Sequence, residues 1–282
     1  MLAQPLLKVL ELLGREDRKD HAARIAWPKL CGHAELAYTA VAVPFSLQSS
    51  CAFVIPAFDA ELQLPQVIRE LQRAAPGLPI WVVDDGSGDR TGQVARAAGA
   101  EVLRHRVNRG KGAALVTGLE AAARAGAAMA VSVDADGQHL AHEALRVAQH
   151  PAPAGDFVLG VRDLAWAQAP ANSQFSNALS NWFLSVFAGQ PLRDTQCGLR
   201  RYPLPGALEL GARDPGYALE AEILLRAARA GIPIHQLDVE VYYPPPGMRQ
   251  SHFHVVKDPS RIIRRVVKTL LSARLPPPRA GG

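Results

Sequence analysis

Cysteine is scarce in this chain. Cys31, Cys51 and Cys197 are the only three among 282 residues, and none stands at a metal-binding spacing. That pattern fits reduced thiols rather than a disulfide framework. Long apolar runs are also missing, since no uninterrupted stretch reaches the ~20 residues needed to span a bilayer. No basic segment followed by an apolar core opens the chain, so no signal peptide is expected. There is no internal repeat.

The rest of the composition is ordinary. Hydrophobic residues make up 48% and charged residues 20%, enough for one large domain with an ample core. The net charge of +5 is unevenly placed. From Arg249 onward, eight cations (249, 257, 261, 264, 265, 268, 274, 279) stand against one acid, Asp258. This excess of +7 leaves −2 for residues 1–248. Asp258-Pro259 reads as a helix start, with Asp258 as N-cap and Pro259 at the first helical position. Ile262, Ile263, Val266, Val267, Leu270 and Leu271 then recur at helical spacing, with Arg261, Arg264, Arg265 and Lys268 between them. A basic amphipathic helix of this kind either lies on an anionic membrane surface or packs on the core with its charges in water. Residues 276–282 are expected to be disordered.

Three apolar runs end in polar or turn residues. Ala128 to Val133 leads into Asp134-Ala135-Asp136-Gly137-Gln138-His139. Pro79 to Val83 leads into Asp84-Asp85-Gly86-Ser87-Gly88-Asp89, and Cys51 to Ile55 into Pro56-Ala57-Phe58. Near-continuous apolar runs read as strands buried on both faces, and open α/β sheets bind ligands just beyond the carboxyl ends of their strands. Asp134 and Asp136 project to the same side if strand geometry continues. Two carboxylates so close repel unless a cation or protons compensate them. Hard oxygen ligands suit Mg²⁺ or Mn²⁺, which commonly also hold substrate phosphates. A capped turn is the structural alternative.

From Cys51 onward strand and helix patterns alternate. Strands are expected at 51–55, 79–83, 100–104, 128–133 and 156–160, with helices near 61–75, 91–98, 111–125 and 140–149. This alternation predicts a mainly parallel sheet with helices on both faces. Beyond Arg162, helices near 173–188 and 217–230 and a strand over 233–243 should shape the acceptor side. Leu6, Leu7, Leu10 and Leu13 have helical spacing, but nothing in the first fifty residues carries chemistry. The expected division is an N-terminal extension (1–50), a catalytic domain (51–248) and a basic loop, helix and tail (249–282).

The segments VIPAFDAE (54–61), WVVDDGSGDRTG (81–92), NRGKGAALVTGLEAA (108–122), DADGQH (134–139) and DTQCGLRRY (194–202) occur in the order seen in family 2 glycosyltransferases. The chain resembles the branch containing dolichyl-phosphate mannosyltransferase and polyprenyl-phosphate glycosyltransferases, over roughly residues 50 to 265. The resemblance implies a GT-A fold, a Rossmann-like sheet that binds a nucleotide-sugar donor and a divalent metal. It implies inverting transfer to a lipid or lipid-linked acceptor, by an enzyme that is cytoplasmic and peripheral on the inner face of a membrane. Nucleic acid is not an expected partner.

Site roles follow from the resemblance and from what glycosyl transfer demands. A metal bridging the diphosphate stabilises charge developing on the leaving group. Asp136 is the first candidate ligand, with Asp134 and Gln138 assisting at the metal or the donor. Asp84 or Asp85 should meet the base and ribose, and the backbone around Pro56 and Phe58 should line the base pocket. Lys111 follows a Gly-hinged turn at a helix start, a place that favours phosphate. Arg162 resembles an arginine that lies near phosphates. Asp194, with Gln196 and Arg200, resembles the acceptor-side segment, where Asp194 orients or deprotonates the acceptor. A phosphate acceptor, already ionised, needs no strong base. Arg249 and Ser251 follow a proline-glycine hinge and resemble a loop that closes over the donor diphosphate.

One departure stands out. Members of this branch carry further arginines soon after the Gly-x-Arg strand, whereas residues 164–192 contain no Lys or Arg. That leaves room for a hydroxyl-bearing lipid acceptor. A sugar-phosphate nucleotidyltransferase is the competing enzyme, but Pro56-Ala57-Phe58-Asp59 is not its Gly-rich phosphate loop. A non-catalytic membrane scaffold of the same fold is the competing non-enzyme.

Overall fold

The computed structural model describes residues 47, 50–163 and 171–242. The first expected extension, the basic C-terminal helix, Arg249 and Ser251 lie outside the described residues. Strands β1 (Cys51–Ala57), β2 (Ile80–Asp84), β3 (Glu101–Arg104), β4 (Met129–Ser132), β5 (Phe157–Arg162), β6 (Arg200–Pro203) and β7 (Ile234–Val239) form one sheet, ordered β3-β2-β1-β4-β6-β5-β7. Helices α1 (Leu64–Ala74), α2 (Thr91–Ala97), α3 (Lys111–Arg124), α4 (Ala141–Ala148), α5 (Ala171–Ala188), α6 (Gly206–Glu209) and α7 (Ala218–Arg229) connect them.

Period-two alternation explains the two cores. Phe53 and Ile55 of β1 join Leu64, Ile68 and Leu71 of α1 on one face, while Val54 joins Leu115 and Leu119 of α3 on the other. Each such side chain, fully buried, contributes about 1.5–3 kcal/mol of transfer free energy. In α1 the buried Leu64, Val67, Ile68, Leu71 and Ala74 recur at three and four residues, one stripe of the helix. Helix α3 packs closely because Gly118 lies directly on Val54, where a Cβ would collide.

Strands β1 to β4 are parallel neighbours, as the alternating pattern predicts. The sequence reading assigned no strand to 200–203, yet β6 runs there, antiparallel to both β4 and β5. Two consecutive arginines mask it. Arg200 and Arg201 are each only 1% exposed. Arg201 gives its guanidinium hydrogen bonds to the carbonyls of His150, Ala152 and Pro153. These bonds offset most of the cost of burying the cation, although its Nε has no hydrogen-bond partner.

Candidate active site

The loops after β1 and β2 are stapled together. The Asp59 N–H donates to Ser87 Oγ at 3.0 Å, the Ala60 N–H to Thr91 Oγ1 at 2.8 Å and the Glu61 N–H to an Asp89 carboxylate oxygen at 3.1 Å. Pro56 is buried within β1, beside Val83 of β2, and Phe58 is half-buried just beyond the strand. These two residues thus stand at the mouth between the loops.

The adjacent acids of the DDGS turn have separate structural partners. Asp84 is fully buried. Its Oδ1 accepts the Ser87 N–H at 2.9 Å, and its Oδ2 faces the Arg104 guanidinium at 3.4 Å. Asp85 Oδ1 meets His105 Nδ1 at 2.6 Å and accepts the Arg109 N–H at 3.0 Å, and its Oδ2 accepts the Gly110 N–H at 2.7 Å. Both Asp85 oxygens are occupied by protein donors, whereas Asp84 Oδ2 is buried with no hydrogen-bond partner, so both acids shape the turn and Asp84 keeps one acceptor unused. Asp85 folds the 108–110 segment into the mouth of α3. Gly110 is required there: its φ is +97°, and a Cβ would press on the Pro215 carbonyl.

Lys111 opens α3 and reaches the strand-end acids. Its Nζ lies 2.8 Å from Asp134 Oδ1 and 3.6 Å from Glu220 Oε2, and 5.5 Å from the Tyr217 ring centroid. Burial works against its charge, but Asp134 and Glu220 hold the ammonium protonated, above the usual lysine range. Burial alone would raise the Asp134 pKa. The Lys111 cation outweighs it and holds this carboxyl below the usual carboxylate range. Asp134 also lies against the Gly198 backbone, where a Cβ would come within 2.5 Å of its Oδ2. His139, buried on the same turn, accepts the Asp134 N–H on Nδ1 at 3.2 Å. Burial pushes the His139 pKa down to about 4, so the ring is neutral near pH 7.

Asp136 behaves oppositely to Asp134. Its Oδ1 accepts the Gln138 N–H at 3.0 Å. Burial first, and the Asp134 charge second, push its pKa up to about 6. A carboxylate whose ionisation is opposed by a neighbouring carboxylate is a site that a cation would relieve. The chemistry of these residues therefore fits a hard divalent ion, which Asp136 would hold with Asp134 and Gln138 beside it. Among the described residues, three His and acidic side chains also converge elsewhere, with ligand atoms of His142, Glu143 and Glu240 within 4.8 Å of one another. Glu143 is already engaged there by Arg146, at 2.6 and 2.9 Å.

Arg162 ends β5 and meets Asp194 in a two-pronged pair. Nε to Oδ2 is 2.7 Å, Nη2 to Oδ1 is 3.0 Å, and the Arg162 N–H also donates to Oδ2 at 3.1 Å. Asp194 is fully buried. Burial would raise its pKa, but the Arg162 guanidinium holds it below the usual carboxylate range. A carboxylate that accepts these three N–H groups and a fourth from Gln196 holds an arginine in place and is poorly suited to remove a proton. Arg200 requires a correction. It was expected among the catalytic residues, yet it is 1% exposed and donates to the carbonyls of Cys197, Glu220 and Thr195. It pins the 195–197 turn to the start of α7 and has no donors facing outward.

Sequence reasoning missed His105, which ties Asp85 to Thr117 of α3 at 3.0 Å. It also missed Asn181 of α5, whose side chain accepts the Thr195 N–H at 2.7 Å and donates to the Arg193 carbonyl. His105 stands directly after β3 but without an acidic cluster, and Asn181 lies within α5, so neither carries the acidic strand-end signal. Glu220, an acid buried near the start of the Ala/Leu-rich helix α7, has the Lys111 ammonium 3.6 Å from its Oε2.

Comparison with known proteins agrees with this geometry. Residues 52–176 match the family profile described as Glycosyl transferase family 2. The chain is 30% identical over 190 residues to an undecaprenyl-phosphate mannosyltransferase of Micrococcus luteus, covering 63% of this chain and 77% of that protein. It is 29% identical over 203 residues to a polyprenol monophosphomannose synthase of Mycolicibacterium smegmatis, covering 66% and 75%. Among solved structures, mannosyl-3-phosphoglycerate synthase from Rubrobacter xylanophilus superposes with a TM-score of 0.58 at 23% identity, covering 80% of this chain and 74% of that one. That superposition supports the GT-A fold, and the strand-end acids lie at the carboxyl edge of this sheet, where open α/β sheets bind ligands. With the profile match and the Micrococcus relative beside that geometry, the chain belongs to glycosyltransferase family 2 and is a glycosyltransferase.

Proposed function

We propose that this enzyme carries out inverting, metal-dependent transfer of a sugar from a nucleoside diphosphate sugar to a lipid phosphate at the cytoplasmic face of a membrane. The observation that carries the reading is the divided pair at the end of β4: Asp134 is neutralised by Lys111, while Asp136 is left with its ionisation opposed. Such a pair is prepared for a cation. A bound Mg²⁺ or Mn²⁺ would supply Lewis-acid stabilisation of the leaving diphosphate. Asp136 would hold the ion. Lys111 would fix Asp134 and add positive potential where the phosphates arrive, and the Asp85-braced turn would hold the start of α3 beside them.

The acceptor assignment rests on Asp194. Its carboxylate is committed to Arg162, so it leaves no base at that position. An acceptor that arrives already ionised needs none. The relatives' names point the same way, each stating a polyprenol or undecaprenyl phosphate product or substrate. A hydroxyl-bearing lipid is the second reading, favoured by the absence of Lys and Arg from residues 164–192. The domain division proposed is an extension (1–50), the catalytic domain (51–248) and a basic C-terminal segment (249–282).

The test supplies radiolabelled nucleotide sugars (UDP, GDP and dTDP forms) with Mn²⁺ and either a polyprenyl phosphate or the matching polyprenol. Label entering the phosphate lipid alone is the expected result. Transfer to the alcohol alone, or full activity in excess chelator, overturns it.

A further inference from the structure

Helix α5 is amphipathic the wrong way round. Its polar residues face the protein. Ser180 and Asn177 are buried, Ser180 Oγ accepts from Gln196 Nε2 at 3.0 Å, and Ser185 Oγ accepts the Leu192 N–H at 2.8 Å. With Asn181 on Thr195, these groups clamp the segment that carries Asp194. Leu184 is fully buried among them and Phe183 packs partly on the core, but three other apolar residues face outward. Leu179 is 40% exposed, Val186 45% and Phe187 38%. Phe183 stacks edge-on with Phe187, with ring centroids 4.8 Å apart. Residues 179, 183, 186 and 187 share one helical face.

We propose that this outward face of α5 seats the enzyme on the lipid bilayer, independently of its basic C-terminal segment. The inference rests on the lipid-acceptor reading for its biological sense, but it is carried by separate observations. No Asp, Glu, Lys, Arg or His occurs in residues 164–192, so entering the headgroup region desolvates no charge there. No described helix is long and apolar enough to cross a membrane, so α5 lies on a bilayer rather than through it. Position gives the third argument. Helix α5 follows β5, which ends at Arg162, and its inner side clamps the Asp194 turn, so a bilayer on its outer face would lie about one helix diameter (~10–12 Å) from that turn. A lipid headgroup would reach that pair with its tail still in the membrane. A second copy of this chain is the rival occupant.

The test is flotation of the full chain with large vesicles of neutral phosphatidylcholine, where lysines and arginines have no anionic surface to meet. The parent protein should float, and raising salt should not release it. The variant Leu179→Ser/Val186→Ser/Phe187→Ser should lose on the order of tenfold or more in vesicle partition, since three apolar side chains stay in water. Its thermal midpoint should match the parent's, because all three are exposed. Leu62→Ser, at an exposed apolar residue outside α5, is the control and should float as the parent does. Equal flotation of parent and triple variant overturns the proposal, as does no flotation of either. Loss of a parent dimer in sedimentation, with no parent flotation, assigns the face to a second copy instead and also overturns it. Transfer to a detergent-dispersed, short-chain prenyl phosphate separates the two readings. Its absence in the parent sinks the lipid-phosphate acceptor while leaving the flotation result standing.

Discussion

Asp194→Asn separates a residue that holds an arginine from one that removes a proton. The substitution keeps the shape and removes the charge. In the parent, Asp194 is fully buried and the Arg162 side chain is 14% exposed, with contacts of 2.7 and 3.0 Å. Breaking a buried pair by neutralising one partner leaves the other charge uncompensated, at a cost of about 3–5 kcal/mol. For a domain of this size that lowers the thermal midpoint by on the order of 10 °C. The pH dependence carries a sign. The folded pKa of Asp194 is depressed, so its contribution is complete above the unfolded value of about 3.9 and is lost as pH falls through the lower folded value. The stability gap between parent and variant should therefore be flat from pH 5 to 8 and close only in stronger acid. Urea unfolding at a series of pH values measures it. Replacing both partners, Arg162→Met with Asp194→Leu, should recover part of the stability but none of the transfer activity. A gap below about 1 kcal/mol at pH 7, or one that changes between pH 5 and 8, would refute the holding role.

Three further outcomes are expected. Asp136→Asn should abolish transfer yet leave the metal-free protein as stable or more so at pH 7, because the folded pKa of about 6 is raised and its stabilising effect is lost as pH rises through that value; Mn²⁺ should raise the melting temperature of the parent alone. His105→Phe should weaken nucleotide diphosphate affinity, because it frees Asp85 from the ring, at a stability cost of about 1–3 kcal/mol for the buried group left unpaired; unchanged affinity by calorimetry counts against the braced turn. Exchanging Arg261, Arg264, Arg265 and Lys268 for Gln should remove the extra affinity for anionic over neutral vesicles, about 1 kcal/mol per cation, and an unchanged preference for anionic vesicles would place that helix on the core.

The chemistry at strand ends was legible because it is written in contiguous residues. An apolar run followed by DADGQ or DDGS states both a buried strand and what waits at its end. What could not be read was which of two neighbouring acids does which task. Asp134 and Asp136 have the same side chain two residues apart, and they differ only because Lys111 and Gly198, remote in sequence, lie against the first. Arg200 misled for the same reason. An arginine in a site-like segment looks available until three carbonyls surround it. Strand β6 was hidden by the charges at its start, since apolar periodicity cannot register a strand whose cations are satisfied by backbone.

The position of β6 has a consequence for the order in which the protein is made. Strand β5 pairs only with β6 and β7, and β4 has its second neighbour only in β6. As the chain emerges, β1 to β4 can assemble at once. Ser132, however, waits for Arg200 before its edge is covered. At roughly 5–20 residues per second, that edge stays open for several seconds, offering unpaired N–H and C=O groups to any passing strand. Four residues synthesised late therefore cover the β4 edge, and ribosomal stalling between β4 and β6 would prolong its exposure to aggregation.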